Sequence, residues 1–391
     1  MKKRDLKILY LSSFPPRKCG IATFCENFIN AVHNRDSYID QKVIAVNEMT
    51  APKRAYSLLV KYQLRQEELG CYDKVAAYVN ESGADVFCLQ HEYGLFGGFD
   101  GIFILKLLQN IKIPIVSVYH SIPMLKGSKR KEYRLKILKD IARFSKFVIV
   151  TADIGKKVLI KECKIPTSKI VTIYHGAPAV PYPTLKEKEK LKEKFNLRGR
   201  LVMSSFGLIS KSKGFDYGVE AMLNLSKKYP NLVFLILGQA HPIHANAMEK
   251  DYYSNLLKKV EKFNLKNNIL FIGRYLSEEE LVNYLRLTDI YLTPYLTKPQ
   301  ISSGTIAYAM ATGNCVVSTP FIYAKELIGK DRGYFIDFKS GDSIVNVVSD
   351  LIDHPQKIET ARKKAYEFAR KFTWPEVAKK IIQVFQRAMK K

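Results

Sequence analysis

Two short stretches of this chain combine cations, small hydroxyls and glycine in the order that anion binding requires. Lys211, Ser212, Lys213 and Gly214 follow an apolar run, LVMSSFGLI. A lysine just beyond a strand reaches a diphosphate as a point charge, and a neighbouring glycine lets the backbone come close. Further along, Ser302, Ser303, Gly304 and Thr305 open a segment with helical spacing. Ile306, Ala309 and Met310 share one face of it, and Gly313 closes it. Hydroxyls and free amides at a helix start, where partial positive charge gathers, favour a phosphate.

A second group of candidates is scattered. His91, His120 and His175 each end an apolar run, and Glu92 follows the first of them. The carboxyl ends of parallel strands gather at one edge of a sheet, so at least one of these histidines is expected to touch a ligand. The loop 15–21 precedes another helical start and holds a single glycine, Gly20, so it is no dinucleotide fingerprint. D-x-D, H-E-x-x-H, G-x-S-x-G and P-loop patterns are all missing, which argues against metal dependence and serine hydrolysis.

The elements that must position these residues follow from periodicity. Apolar runs at 7–13, 42–47, 86–90, 114–119, 147–151 and 170–174 read as strands with helices between them. Residues 51–70 read as basic and partly helical. The stretch 176–183, GAPAVPYP, reads as an interdomain linker. The pattern restarts at 201–206, 233–237, 269–272, 290–293, 315–319 and 334–337. Ser277 to Glu280 reads as a capping box opening one helix. The tail 374–386 is amphipathic, with Val377, Ala378, Ile381, Ile382 and Phe385 on one face. Nearly continuous apolar strands alternating with helices predict an α/β protein of two doubly wound parallel sheets.

Composition narrows the class. The 391 residues are 47% hydrophobic, enough for large cores, and no apolar run approaches the ~20 residues of a membrane-spanning helix. Six cysteines form no CxxC and read as small buried hydrophobes in a reducing, cytoplasmic interior. The net charge of +26 calls for an anionic partner, yet no nucleic-acid-binding motif is present, so nucleic acid is not expected. The helix 129–145 is basic outside and apolar inside, which fits either a solvated face or weak association with an anionic membrane.

With these residues assembled, the chain resembles the family-4 retaining glycosyltransferases of GT-B fold over nearly its whole length. The resemblance rests on PPRKCGIA, the strand end at His120, SKSKG, FLILG, ISSGTIAYAMATGNCVVST and the helix after FTWPEVA. It implies two Rossmann-like domains facing across a cleft: 1–178 for the acceptor, 179–372 for the nucleotide-sugar, and a helix 373–391 that returns to the first. It implies that Lys213, with Lys211 and Gly214, holds the donor diphosphate. Ser302, Ser303, Gly304 and Thr305 are similar to the helix start beneath the phosphates and sugar. Gly20 looks like part of the N-terminal loop near the phosphate, His120 like the histidine near the transferred sugar, and Glu326 like the acidic residue after the next strand. His91, Glu92 and His175 are expected on the acceptor side. The family's paired glutamates, one for the sugar and one for the ribose, fall on Gln300 and Tyr308 here. Its arginine falls on Leu208, with Lys211 able to supply the charge, and its second loop glycine on Cys19. The implied activity is transfer of a hexose, first mannose from GDP-mannose, to a saccharide or lipid-linked acceptor, without cofactor or metal. The expected location is the cytoplasm, at the inner membrane face. An epimerase or disaccharide phosphorylase of the same fold, and a non-catalytic nucleotide-sugar-binding subunit, are the alternatives.

Overall fold

Short β-branched and aromatic runs bounded by amphipathic helices build two parallel sheets. The computed structural model describes residues 6–48, 54–124, 128–239 and 247–390. They form two units, Met1–His175 with Trp374–Lys391, and Gly176–Thr373. In the N-terminal unit the strands are β1 (Lys7–Ser12), β2 (Asp40–Asn47), β3 (Val60–Arg65), β4 (Val86–His91), β5 (Ile115–Tyr119), β6 (Phe147–Val150) and β7 (Ile170–Thr172). Their order is β3-β2-β1-β4-β5-β6-β7, all parallel. In the C-terminal unit they are β8 (Leu201–Phe206), β9 (Leu232–Leu237), β10 (Ile269–Ile272), β11 (Ile290–Thr293), β12 (Cys315–Ser318) and β13 (Gly333–Phe335). Their order is β10-β9-β8-β11-β12-β13, again parallel. Central strands such as β4 and β9 are buried at every residue, as helices on both faces require. Each sheet reverses its winding once, between β1 and β4 and between β8 and β11. Crevices for ligands open beyond the carboxyl ends of strands at such points.

The last helix, Trp374–Ala388, buries Val377, Ala378, Ile381, Ile382 and Phe385 in the N-terminal unit. Phe385 meets the rings of Tyr10 and Phe28 edge-on or tilted, at 6.3 and 6.4 Å. No helix among the described residues is long and apolar enough to cross a membrane.

Three readings of the sequence need correction. Within 51–70 the described part is mainly strand β3, and only its last two residues are helical, opening the helix Leu69–Glu81; Val60, Tyr62 and Leu64 alternate with Lys61, Gln63 and Arg65, the period of an edge strand. The proline-rich 176–183 begins at the division between the units, as an interdomain linker would, but it is packed into the second unit. Ala177 is fully buried and its amide donates to the Phe372 carbonyl, while Tyr182 donates to Glu359. Finally, only Cys25, Cys88, Cys163 and Cys315 are buried hydrophobes. Cys19 caps a helix, its Sγ accepting from the Ala22 amide, and Cys71 donates to Glu68.

At the amino ends of β8 and β11, the helix Leu185–Lys194 docks through buried charge. Lys188 Nζ lies 2.5 Å and Lys192 Nζ 3.2 Å from the Asp289 carboxylate. Burial pulls the Lys188 ammonium down to about 8 against the pull of Asp289. Burial would raise the Asp289 carboxyl, but the two ammonium groups outweigh it and hold it below the usual range. Asp289 also accepts the Val202 amide, so one carboxylate holds helix and sheet together. Asp289→Ala leaves Lys188 buried without a counter-charge, and Lys192 with Glu189 alone, and should cost about 3–5 kcal/mol, read by denaturant unfolding. A loss below about 1 kcal/mol would show that water reaches the pair.

Candidate functional site

In the C-terminal unit, the two loops singled out by chemistry leave neighbouring strands at the reversal point. The first follows β8. Ser210 precedes the tight turn Lys211–Lys213, and Gly214 closes it with φ +66. A Cβ on Gly214 would sit 2.2 Å from the Pro294 carbonyl oxygen, so only glycine fits. The second loop follows β11 and is stitched to the first, its Leu296 amide donating to the Ser212 carbonyl at 2.9 Å. Gly238 performs the same close approach between β9 and β8, where a Cβ would meet the Gly207 carbonyl at 2.1 Å.

Side chains complete the join. Lys213 Nζ lies 3.8 Å above the centre of the Tyr295 ring. That ring stacks on Phe321 at 5.5 Å, and its hydroxyl shares a 2.8 Å hydrogen bond with Thr305. Thr305 Oγ1 in turn meets Ser303 Oγ at 2.9 Å. The ring contact falls to Lys213; Lys211 on the same turn is exposed. Ser303 is the N-cap of the helix Gly304–Ala311, yet its hydroxyl makes no bond to the first-turn amides. Spent on Thr305 instead, it leaves those amides uncapped at the positive end of the helix. A cation, a helix start and three hydroxyls thus gather within one loop pair, an arrangement suited to an anion.

The flanking positions behave differently from one another. Gln300 turns its amide onto the Ser302 carbonyl at 2.8 Å and so shapes its own loop. Tyr308, nearly buried, donates its hydroxyl to Glu278 at 2.8 Å. Glu278 opens the helix Glu278–Leu287. The sequence reading took this stretch only as a capping box, and it missed both Glu278 and Tyr295. An aromatic residue two places past a strand end was the available signal for Tyr295; nothing in the chain pointed to Glu278. Glu326 is half-buried in the helix Ile322–Ile328.

In the N-terminal unit the strand ends gather the histidines around aromatic rings. Phe24 lies edge-on to His120 at 4.7 Å and to His175 at 4.9 Å, and His175 faces Trp374 at 6.0 Å. Burial, reinforced by His175 and His91, pushes the His120 imidazole down to about 3, so it is neutral at ordinary pH. Its Nε2 meets Gln90 Oε1 at 2.8 Å, and the Gln90 amide nitrogen is spent on Cys88 Sγ. The proton therefore sits on Nε2 and Nδ1 is an acceptor.

His91 corrects the sequence reading. It is fully buried among Tyr93, Phe96 and Tyr119, and neither ring nitrogen has a hydrogen-bond partner. Enclosed in this way it cannot touch an acceptor. Glu92 has both oxygens engaged, by the Tyr93 amide and the Ser121 hydroxyl, and burial raises its carboxyl. Gly20 is the first residue of the helix Gly20–Arg35, and a Cβ there would meet nothing within 4 Å. Packing does not impose that glycine.

Residues 187–372, inside the C-terminal unit, match the family model described as Glycosyl transferases group 1. Spore coat protein SA of Bacillus subtilis is 19% identical over 61% of this chain and 64% of its own length. A chitobiosyldiphosphodolichol beta-mannosyltransferase of Candida albicans is 22% identical over 59% and 50%. The chain thus spans less than two thirds of the length of these relatives. Among solved structures, Anabaena HepE in complex with UDP-glucose is similar over 98% of this chain and all of its own (TM-score 0.75, 19% identity). Sucrose-phosphate synthase from Thermosynechococcus elongatus is similar over 98% of both chains (TM-score 0.75, 17% identity). The fold is therefore the two-domain GT-B architecture.

Two outcomes follow from the geometry. Gly214→Ala should displace the lysine turn, cost at least about 1–2 kcal/mol for the left-handed backbone alone, and weaken anion binding; unfolding and titration with a nucleoside diphosphate measure both. For His91, burial lowers the folded value from 6.5 to about 3. As pH falls through that window the unfolded chain takes up a proton that the folded chain refuses. Stability should drop by up to about 1.4 kcal/mol per pH unit, and His91→Phe should remove that share of the slope.

Proposed function

We propose that this chain is a retaining hexosyltransferase that moves a hexose from a nucleoside-diphosphate sugar to a hydroxyl acceptor. The observation that carries the reading is the Lys213–Tyr295–Thr305–Ser303 chain, which presents a cation beside an uncapped helix start. Cleavage of the bond between C1 and the diphosphate oxygen puts negative charge on the leaving group and oxocarbenium character on the sugar. Lys213, helped by Lys211 and the amides of Gly304 and Thr305, stabilises that charge; such preorganised groups are commonly worth a few kcal/mol each. In this reading they carry it without a metal. The acceptor oxygen bonds to C1 on the face the diphosphate leaves, and its proton passes to the departing phosphate oxygen.

The remaining residues take supporting roles. Gln300 and Glu326 lie toward the sugar, and Gly20 and Gly214 admit the phosphates. Tyr308 cannot accept two ribose hydroxyls as a carboxylate would. Glu278, held at 2.8 Å by the Tyr308 hydroxyl, supplies the missing acceptor. On the N-terminal unit, His120 offers its neutral Nδ1 to a sugar hydroxyl, and Glu92 and His175 lie on the acceptor side. The first expectation for the donor is GDP-mannose, in keeping with the mannosyltransferase relative. A UDP-hexose is the second, in keeping with the UDP-glucose complex of a similar fold. The acceptor is a saccharide or lipid-linked saccharide, met at the cytoplasmic face of a membrane.

A thermal-shift screen of nucleoside-diphosphate sugars identifies the donor, since a ligand at 100 times its Kd stabilises by about 2.7 kcal/mol. With that donor, Lys213→Ala should lower kcat/KM about 100-fold, and Glu278→Gln should act mainly on donor KM. Unchanged turnover in Lys213→Ala removes this mechanism. Donor binding with no turnover on any acceptor makes the chain a binding subunit, and phosphate-dependent turnover makes it a phosphorylase.

A further inference from the structure

The N-terminal unit carries one exposed aromatic side chain that the fold goes to unusual lengths to hold in place. Phe99 is 63% exposed at the tip of the loop following β4. Asp100 beside it adopts a left-handed backbone with φ +51, and its carboxylate is almost entirely covered. That carboxylate binds Arg130 through both Nε and Nη2, and Arg134 through Nη2 at 2.7 Å. The two arginines hold it well below the usual carboxylate range. Gly97 and Gly98 leave no room for a Cβ, which would sit 2.1 Å from the Gln66 carbonyl and 2.6 Å from the Phe103 ring. The loop is therefore fixed on both sides, and the ring it presents is fixed with it. Arg130 lies 5.6 Å from the Phe99 ring centre and Tyr133 5.3 Å away. Beyond them the outer face of the helix Lys129–Phe144 exposes Lys129, Lys136, Lys139 and Arg143. Glu132 and Asp140 are the acidic residues on this helix, and Asp140 is already paired with Arg143.

We propose that Phe99, with Tyr133 beside it, is a wedge that enters an anionic lipid surface while the basic face of this helix engages the head groups. The inference rests on the membrane association contained in the function read above and names the element that performs it. Cations alone are held at a bilayer by charge, and salt releases them. An apolar ring on a rigid mount adds a contact that salt does not screen, and no ordering of the loop opposes it. A protein partner is the less favoured occupant, because the patch sets two neighbouring rings, Phe99 and Tyr133, among many cations.

The test uses the full chain and vesicles of phosphatidylcholine with or without phosphatidylglycerol. The wild type should sediment with the anionic vesicles at low salt and keep part of that binding at moderate salt. Phe99→Ser should lower the partition coefficient about tenfold at moderate salt without changing the melting temperature. Phe99→Trp supplies a reporter beside Trp374, the single tryptophan, which is buried. Its emission should shift to the blue on anionic vesicles and stay put on neutral ones. Wild-type sedimentation with no blue shift overturns the wedge and leaves charge alone. No sedimentation at any salt overturns the membrane association as well, while donor binding is unaffected. A blue shift produced by a soluble saccharide without vesicles overturns the proposal in favour of a sugar-stacking platform.

Discussion

The ammonium of Lys213 rests on the face of Tyr295, and this contact decides what the C-terminal unit can offer a ligand. A carboxylate beside a loop lysine would fix the side chain and cancel its charge together. Here an aromatic face does the fixing. The attraction to the ring is about 0.5–2 kcal/mol, enough to bias the rotamer and too weak to compete with a phosphate. The charge stays available. The same ring, stacked on Phe321 and bonded to Thr305, carries the position of the lysine to the helix start. One buried tyrosine therefore sets the spacing between the two positive features of the site.

The N-terminal unit works by the opposite principle. Its strand ends hold the imidazoles of His91 and His120 in dry aromatic surroundings, which keeps these two uncharged. A neutral His120 with its proton fixed on Nε2 by Gln90 is an oriented acceptor, not a titrating acid or base. Such a group can orient a hydroxyl without moving a proton. One unit thus presents positive charge at its strand ends, and the other keeps the imidazoles of His91 and His120 at its strand ends neutral.

Much of this was legible in the residues. Twelve of the thirteen strands among the described residues announce themselves as apolar runs, because a strand covered on both faces leaves little choice of side chain. The exception, β3, sits at a sheet edge, where only Val60, Tyr62 and Leu64 need cover, and basic neighbours masked the alternation. The lysine turn was legible because glycine is needed at position 214 for geometric reasons, and the serine-rich helix start because its residue types favour a helix N-terminus. Partnerships were not. Tyr295 beneath Lys213 and Glu278 beneath Tyr308 are pairings across the fold, and the chain states each residue without stating its partner. His91 was misread for the same reason: its place at a strand end was correct, but whether such a side chain faces a ligand or the core depends on the rings around it.

The pairing of Ala177 with Thr373 has a further consequence for how the polypeptide is made. The residues at which the chain enters and leaves the C-terminal unit lie side by side, so that unit is in effect an insertion within its neighbour. The N-terminal sheet emerges first from the ribosome but lacks the helix that covers Tyr10 and Phe28 until nearly two hundred further residues have followed, Gly176–Thr373. Its apolar face stays open through that interval. Completion of the first unit thus waits on synthesis of the second, and adjacent ends also make the inserted unit a natural candidate for transplantation whole.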